Sequence, residues 1–206
     1  MSTLGMASRR PYHHGDLRRV LLQASIRLIA ETGPEAFTLR EVARMAGVSH
    51  NAPYRHFRDK ESLLAAVAAE GFRQLAHSLQ EHAGRRRGAW QRFVAAGEGY
   101  VAFALRWPQH FAIMFDAPPP RENHPDFAAA ATQAFGVLLG HIVECQQERS
   151  LPAGDPHRFA LVAWSLVHGI AKLAGTGRLG MTSKTEVMRF ARFAINSSLR
   201  GLAEDR

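Results

Sequence analysis

The sequence predicts an all-α fold of about nine helices, and two observations carry that prediction. Apolar residues recur three and four positions apart almost throughout, with no convincing two-residue alternation and no internal repeat. Between the periodic stretches stand glycines and prolines, which end helices or open them.

The elements follow in order. Leu17, Leu21, Ala24 and Leu28 form one stripe of a first helix that ends at Gly33-Pro34. Thr38 and Glu41 have the spacing of a capping box and open a second helix over 39–46, stopped by Gly47. Ser49 is placed to cap a third helix over 50–57, with Pro53 in its first turn. Asp59 can cap a fourth over 60–82, where Gly71 is the internal breaker. Further helices are expected over 89–107, 108–115, 125–149, 156–174 and 182–202, three of them opening at proline. Loops fall at 84–88, 117–121 and 150–155.

Composition narrows the class. The chain has 206 residues, 46% hydrophobic and 21% charged, enough for one sizeable core or two small units sharing one. A single cysteine, Cys145, excludes an intramolecular disulfide and a structural zinc site with two cysteines. It fits a reducing compartment, and a cytoplasmic location is expected. The first fourteen residues hold charges and histidines but no apolar leader segment. The stretch 159–171 is apolar but shorter than the roughly 18 residues of a membrane span, so no membrane partner is expected.

The net charge is +8, and residues 1–60 carry +5 of it, from 10 basic and 5 acidic side chains. A basic N-terminal unit suits a polyanion, either nucleic acid or a membrane surface. Eleven histidines are present, but there is no HExxH and no carboxylate–histidine spacing of a catalytic metal. There is no nucleophile elbow and no glycine-rich phosphate loop. Neither an enzyme, a metal nor a cofactor is expected.

The segment 38–60 reads TLREVARMAGVSHNAPYRHFRDK. Two short helices meet at Ala46-Gly47-Val48-Ser49, where glycine permits the positive φ of a tight turn. Val42, Ala43, Val48 and either Tyr54 or Phe57 can bury the inner corner. This is a helix-turn-helix pattern, and a second helix of eight residues, about 12 Å long, suits a major groove about 12 Å wide. His50 and Asn51, with Ser49, stand where base edges would be met, and asparagine can pair bidentately with adenine. Tyr54, His56, Arg58 and Lys60 supply phosphate donors, Thr38 and Arg40 reach the backbone or groove, and Arg9 and Arg10 form an arm for phosphates or the minor groove.

These residues carry a resemblance. Tyr12-His-His-Gly-Asp-Leu-Arg, Thr38-Leu-Arg-Glu-Val-Ala, Ala46-Gly-Val-Ser49 and Tyr54-Arg-His-Phe-Arg-Asp-Lys60 resemble the TetR family of bacterial transcriptional repressors. The segment 163–171, Ala-Trp-Ser-Leu-Val-His-Gly-Ile-Ala, is similar to the Trp-His-Gly type of C-terminal domain in that family. The resemblance implies a DNA-binding domain over 11–60 and a ligand-binding and dimerisation domain over 61–206. It implies phosphate contacts by Tyr54, His56 and Lys60 and base contacts by His50 and Asn51. Pro53 departs from the family's usual start of the recognition helix.

The second part is expected to pair across a two-fold axis through helices 156–174 and 182–202, the latter by Val187, Phe190 or Ala191, and Ala194 or Ile195. A small apolar or aromatic effector is expected among Phe103, Trp107, Phe111, Trp164 and His168, with Glu98, Asp116 and His141 as further polar candidates. Two functions stay open: a homodimeric repressor released from a palindromic operator by that effector, and an effector-independent dimeric architectural DNA-binding protein. A cavity favours the first, a filled core the second.

Overall fold

A computed structural model of the chain describes the backbone of residues 14–116 and 118–204, and the side chains of 17–116 and 118–198. Among the described residues there are eight α-helices, two 3₁₀ turns and no strand. The chain divides into two compact units, with the boundary between Leu63 and Leu64.

The first unit is built from α1 (His14–Thr32), α2 (Leu39–Met45), the 3₁₀ turn Pro53–Arg55 and the start of α3 (Lys60–Gly84). Leu17, Leu21, Ala24 and Leu28 are buried as their spacing requires, and Phe37, Leu39, Val42, Ala43 and Phe57 complete the core. Gly33, at φ +83°, ends α1 and donates to the Ile29 carbonyl at 2.9 Å.

The third helix expected over 50–57 does not form, which lowers the count from nine to eight. With Ser49 as cap, Pro53 would be the fourth helical residue, and its N–H would have to reach the Ser49 carbonyl. Proline has no N–H. The Ser49 carbonyl instead accepts from the Ala52 N–H at 2.9 Å, and Pro53 becomes the first residue of a shorter turn. Its carbonyl accepts from the N–H groups of His56 and Phe57, both at 2.9 Å.

The second unit holds the rest of α3, then α4 (Ala89–Arg106), α5 (Pro108–Phe115), the 3₁₀ turn Arg121–Asn123, α6 (Pro125–Gln147), α7 (Pro156–Gly175) and α8 (Lys184–Glu204). Helix α4 is the centre of this unit and packs against α5, α6, α7 and α8. It buries Trp90, Phe93, Tyr100, Val101 and Phe103. Gly99 permits a close approach of α3. A Cβ there would stand 2.6 Å from the Ser78 carbonyl oxygen, and the Ser78 hydroxyl donates to the Gly99 carbonyl at 2.9 Å.

Val187, Ala191, Ala194 and Ile195 of α8 are buried within this same unit. They therefore do not form the outward stripe expected of them, because α4 and α7 already cover that face. On α7 and α8 the exposed large apolar residues, among those described, are Leu161, Val162, Leu173 and Phe193. Among the described residues, Pro125–Gln147, rather than 159–171, is the helix long and apolar enough to cross a membrane, with mean hydropathy 1.3. Its Phe127, Ala130, Ala131, Ala134, Ile142 and Cys145 are buried in the second unit. Burial pushes the Cys145 thiol up to about 11, the state of an inert core residue.

Candidate nucleic-acid interface and helical cavity

Helix α2 is opened by a complete capping box. The Thr38 hydroxyl accepts from the Glu41 N–H at 3.3 Å, and Glu41 accepts from the Thr38 N–H at 2.8 Å. This fixes Arg40 and Arg44 on the exposed face while Val42 and Ala43 are buried. Gly47, at φ +68°, turns the chain, and the Val48 N–H closes on the Ala43 carbonyl at 3.0 Å. Ser49, His50 and Asn51 emerge on the exposed bend. The anchor of the corner is Phe57, 2% exposed, whereas Tyr54 is 51% exposed.

Nearby acids are engaged. Asp59 caps α3 by accepting from the Ser62 N–H at 2.8 Å, and also accepts from Arg58 Nε at 2.8 Å. Those two bonds, the backbone one first, hold its carboxyl below the usual range. Glu41 is held by Thr38. The outward groups from Arg40 to Lys60 are thus mainly donors.

The sequence-derived DNA residues fall into three groups. Arg40, Ser49, His50, Asn51 and Tyr54 are exposed and gathered around the bend. Thr38 is exposed, but its hydroxyl serves the cap. Lys60 and His56 are turned partly inward. Lys60 Nζ donates to the Glu35 carbonyl at 2.7 Å and lies 4.6 Å from the centre of the Phe37 ring. His56 is half-buried, with its Nε2 enclosed and unpartnered. Arg44 and Arg55 are also exposed here and were not singled out from sequence. Their position beside Met45 and Tyr54 was the available signal. Arg9 and Arg10 lie outside the described residues.

In the second unit, α3 to α7 line a half-open cavity of about 370 Å³, within the range of small-molecule sites. Phe72, Leu75 and Leu79 come from α3, Tyr100 from α4 and Phe115 from α5. Ala131, Thr132, Ala134, Phe135 and Leu138 come from α6, His157, Leu161 and Trp164 from α7, and Arg121 from the 3₁₀ turn. The Tyr100 hydroxyl accepts from Trp164 Nε1 at 3.2 Å and lies 2.8 Å from His168 Nδ1. Burial keeps Tyr100 protonated and lowers the His168 pKa, so the hydroxyl proton points to a neutral imidazole.

The five residues expected around an effector do not line one cavity. Trp164 does. His168 and Phe111 stand behind Tyr100 and Phe115, with their own rings 5.3 Å apart. Phe103 and Trp107 border an open groove with Arg73, His77 and Arg106. Trp107 lies past the end of α4, where Pro108 starts a new helix, so it does not continue the stripe of Tyr100. Of the other polar candidates, Glu98 pairs with Arg192 at 2.5 Å and Asp116 with Lys172, and His141 Nδ1 lies 3.4 Å from a Glu144 carboxylate oxygen. The wall residues of α3 and α6 were missed. Each set repeats at helical spacing, but no spacing says which stripes face each other. Among the described residues no cluster of histidine, cysteine or acid side chains could hold a metal.

Comparison with known proteins places both units. Residues 21–67 match the family model described as bacterial regulatory proteins, tetR family, and residues 93–197 match that of the tetracyclin repressor-like C-terminal domain. A solved protein with unknown function from Rhodococcus sp. RHA1 is 36% identical, with a TM-score of 0.81 over 95% of this chain and 100% of that one. The HTH-type transcriptional repressor Rv3405c of Mycobacterium tuberculosis is 36% identical over 69 residues, 32% of this chain and 37% of its own length. The chain thus spans little more than a third of the curated relatives it first matches. FadR from Bacillus subtilis, solved in complex with stearoyl-CoA, shares the fold at 14% identity and a TM-score of 0.74, over 89% of this chain and 98% of its own.

Proposed function

Because this chain belongs to the TetR family of bacterial regulatory proteins, we propose that it is a sequence-specific, homodimeric transcriptional repressor that a small apolar or aromatic effector releases from a palindromic operator. The observation that carries the reading is the exposed row Ser49, His50, Asn51 and Tyr54, set on a corner whose inner side is sealed by Val42, Ala43 and Phe57. In this reading His50 and Asn51 meet base edges, and Asn51 pairs with an adenine. Tyr54, Arg40, Arg44, Arg55 and Lys60 hold phosphates and fix the register. The protein acts in the cytoplasm, as a regulator and not as an enzyme.

Exposed Val162 and Leu173 of α7 and Phe193 of α8 support a dimer through those two helices. The cavity supports an effector over the architectural alternative, which would suit a filled core. Three of its wall residues, Phe72, Leu75 and Leu79, belong to α3, whose first residue is Lys60. A ligand that displaces this wall acts on the helix that the DNA-binding unit shares. A preference of about 1–3 kcal/mol for the non-binding form weakens operator affinity some 5- to 150-fold.

The test is selection of duplexes from a random pool, followed by sedimentation of the free protein. The expected result is a dimer and a palindrome with half-site centres about 34–36 Å apart or slightly more. Failure to enrich any sequence, with equal affinity for all duplexes, would overturn the reading.

A further inference from the structure

The cavity has two chemically different ends. Its floor, at Leu75, Leu79, Tyr100 and Ala134, is almost fully buried. The polar atoms at this end are already engaged. Trp164 Nε1 donates to the Tyr100 hydroxyl, and that hydroxyl turns its proton to His168. Both Tyr100 and His168 are held neutral by burial. A charge of either sign placed here would lose its hydration and gain no opposite charge.

The rim differs. Arg121 and Thr132 are exposed, and no Asp or Glu lines the cavity. Arg121 is the guanidinium among the lining residues. It lies 5.8 Å from the centre of the Phe127 ring, and no carboxylate among the described residues pairs with it. Arg73, Arg85, Arg92 and Arg192, by contrast, each hold a Glu or Asp. His157, its ring 5.1 Å from the Phe135 ring and tilted to it, adds an imidazole to the same lining. A guanidinium with its fork of donors open, at the rim of an aromatic cavity without acids, is a receptor for a planar anion.

We propose that the effector is an amphiphile with a single carboxylate, its apolar body on the Tyr100–Trp164 floor and its carboxylate at Arg121. This rests on the reading of the cavity as the effector site and adds its charge class. A cationic amphiphile meets Arg121 with like charge. A neutral one fills the floor and leaves the rim unused.

The test compares decanoate, decanol and decylammonium by calorimetry, in the parent and in two variants at exposed lining positions, Arg121→Met and Thr132→Trp. Decanoate should bind the parent about tenfold more tightly than decanol, and decylammonium most weakly. Arg121→Met should remove the tenfold advantage and leave decanol unchanged. Thr132→Trp, which fills the cavity from its rim, should weaken all three. Equal or tighter binding of decanol or decylammonium, or an unchanged decanoate-to-decanol ratio in Arg121→Met, would overturn the charge class alone. Binding of all three unaffected by Thr132→Trp would overturn the cavity as the site. Absence of binding by all three up to their solubility limits would overturn both.

Discussion

The segment from Thr38 to Lys60 and the surroundings of the cavity treat polar groups in opposite ways. Around the bend, Val42, Ala43 and Phe57 are sealed and Arg40, Arg44, His50, Asn51, Tyr54 and Arg55 project outward. Around the cavity, Tyr100, Trp164 and His168 satisfy one another. The difference follows from where the solvent is. A surface that meets a partner keeps its donors hydrated until contact at little cost. An interior that leaves room for a ligand loses about 1–3 kcal/mol for each polar group it leaves unpaired. The first arrangement can therefore be encoded by one short segment, whereas the second requires several helices to agree.

The sharpest test of that contrast is a pair of aromatic substitutions three residues apart. Phe57→Ala empties the sealed side of the corner and should cost about 3–5 kcal/mol in urea unfolding. Tyr54→Ala should change stability by less than about 0.5 kcal/mol while weakening operator binding. Similar stability losses in both variants would break the comparison, because Tyr54 would then belong to the core. In the second unit, Gly99→Ala should cost about 1–3 kcal/mol. The clash is with the backbone carbonyl of Ser78, which no rotamer change relieves.

Smaller effects separate base contact from phosphate contact. Asn51→Ala should lose about 1–3 kcal/mol on a selected operator, relax the preference at one position and leave the melting temperature unchanged. Lys60→Ala should weaken all duplexes alike and reduce the salt slope by about one. It should also lower stability, because Lys60 holds the Glu35 carbonyl and covers Phe37. A variant with normal salt dependence but lower stability would make Lys60 a structural residue of the first unit.

Legibility in the sequence follows the same divide. The corner was readable because its determinants are local: a capping box, a glycine turn, and a repeat of small and apolar residues within 23 positions. Helices beyond it were readable because prolines and glycines mark their ends, and α5 was expected with its observed bounds, Pro108–Phe115. What failed locally was the helix over 50–57, because Pro53, four residues after Ser49, removes an N–H that this helix needs. What failed globally was the cavity. Phe103 and Trp107 are close to Tyr100 in sequence, but the break at Pro108 and the packing of α3 on α4 send them to another surface. Phe72, Phe135 and Trp164 share a wall through packing that no single helix encodes. The stripe of α8 shows the same limit, since periodicity identified the face but not which neighbour covers it.

Among the described residues of the second unit, Gln74 Oε1 and the His110 ring depart from the rule that interior polar atoms are paired, and His110 gives the smallest and most diagnostic prediction. His110 on α5 is 2% exposed, and neither ring nitrogen has a hydrogen-bond partner. It lies against the ring of Trp107 at 5.6 Å, with Glu70 near enough to oppose part of the effect of burial. Burial dominates and lowers its pKa from 6.5, so the folded protein holds the neutral ring. In the unfolded chain the ring gains a proton as pH falls through about 6.5, while in the folded chain it resists. The unfolded state then binds more protons, and stability declines as pH drops below that point. Removing the imidazole removes both penalties. His110→Leu should raise unfolding free energy by about 1 kcal/mol at pH 7.5, and the gain over the parent should widen between pH 7 and pH 5. The measurement is urea unfolding of both proteins across that range. A gap independent of pH, or a variant less stable than the parent at pH 7.5, would mean that His110 is paired in solution. The rule of satisfied interior groups would then extend to His110 as well.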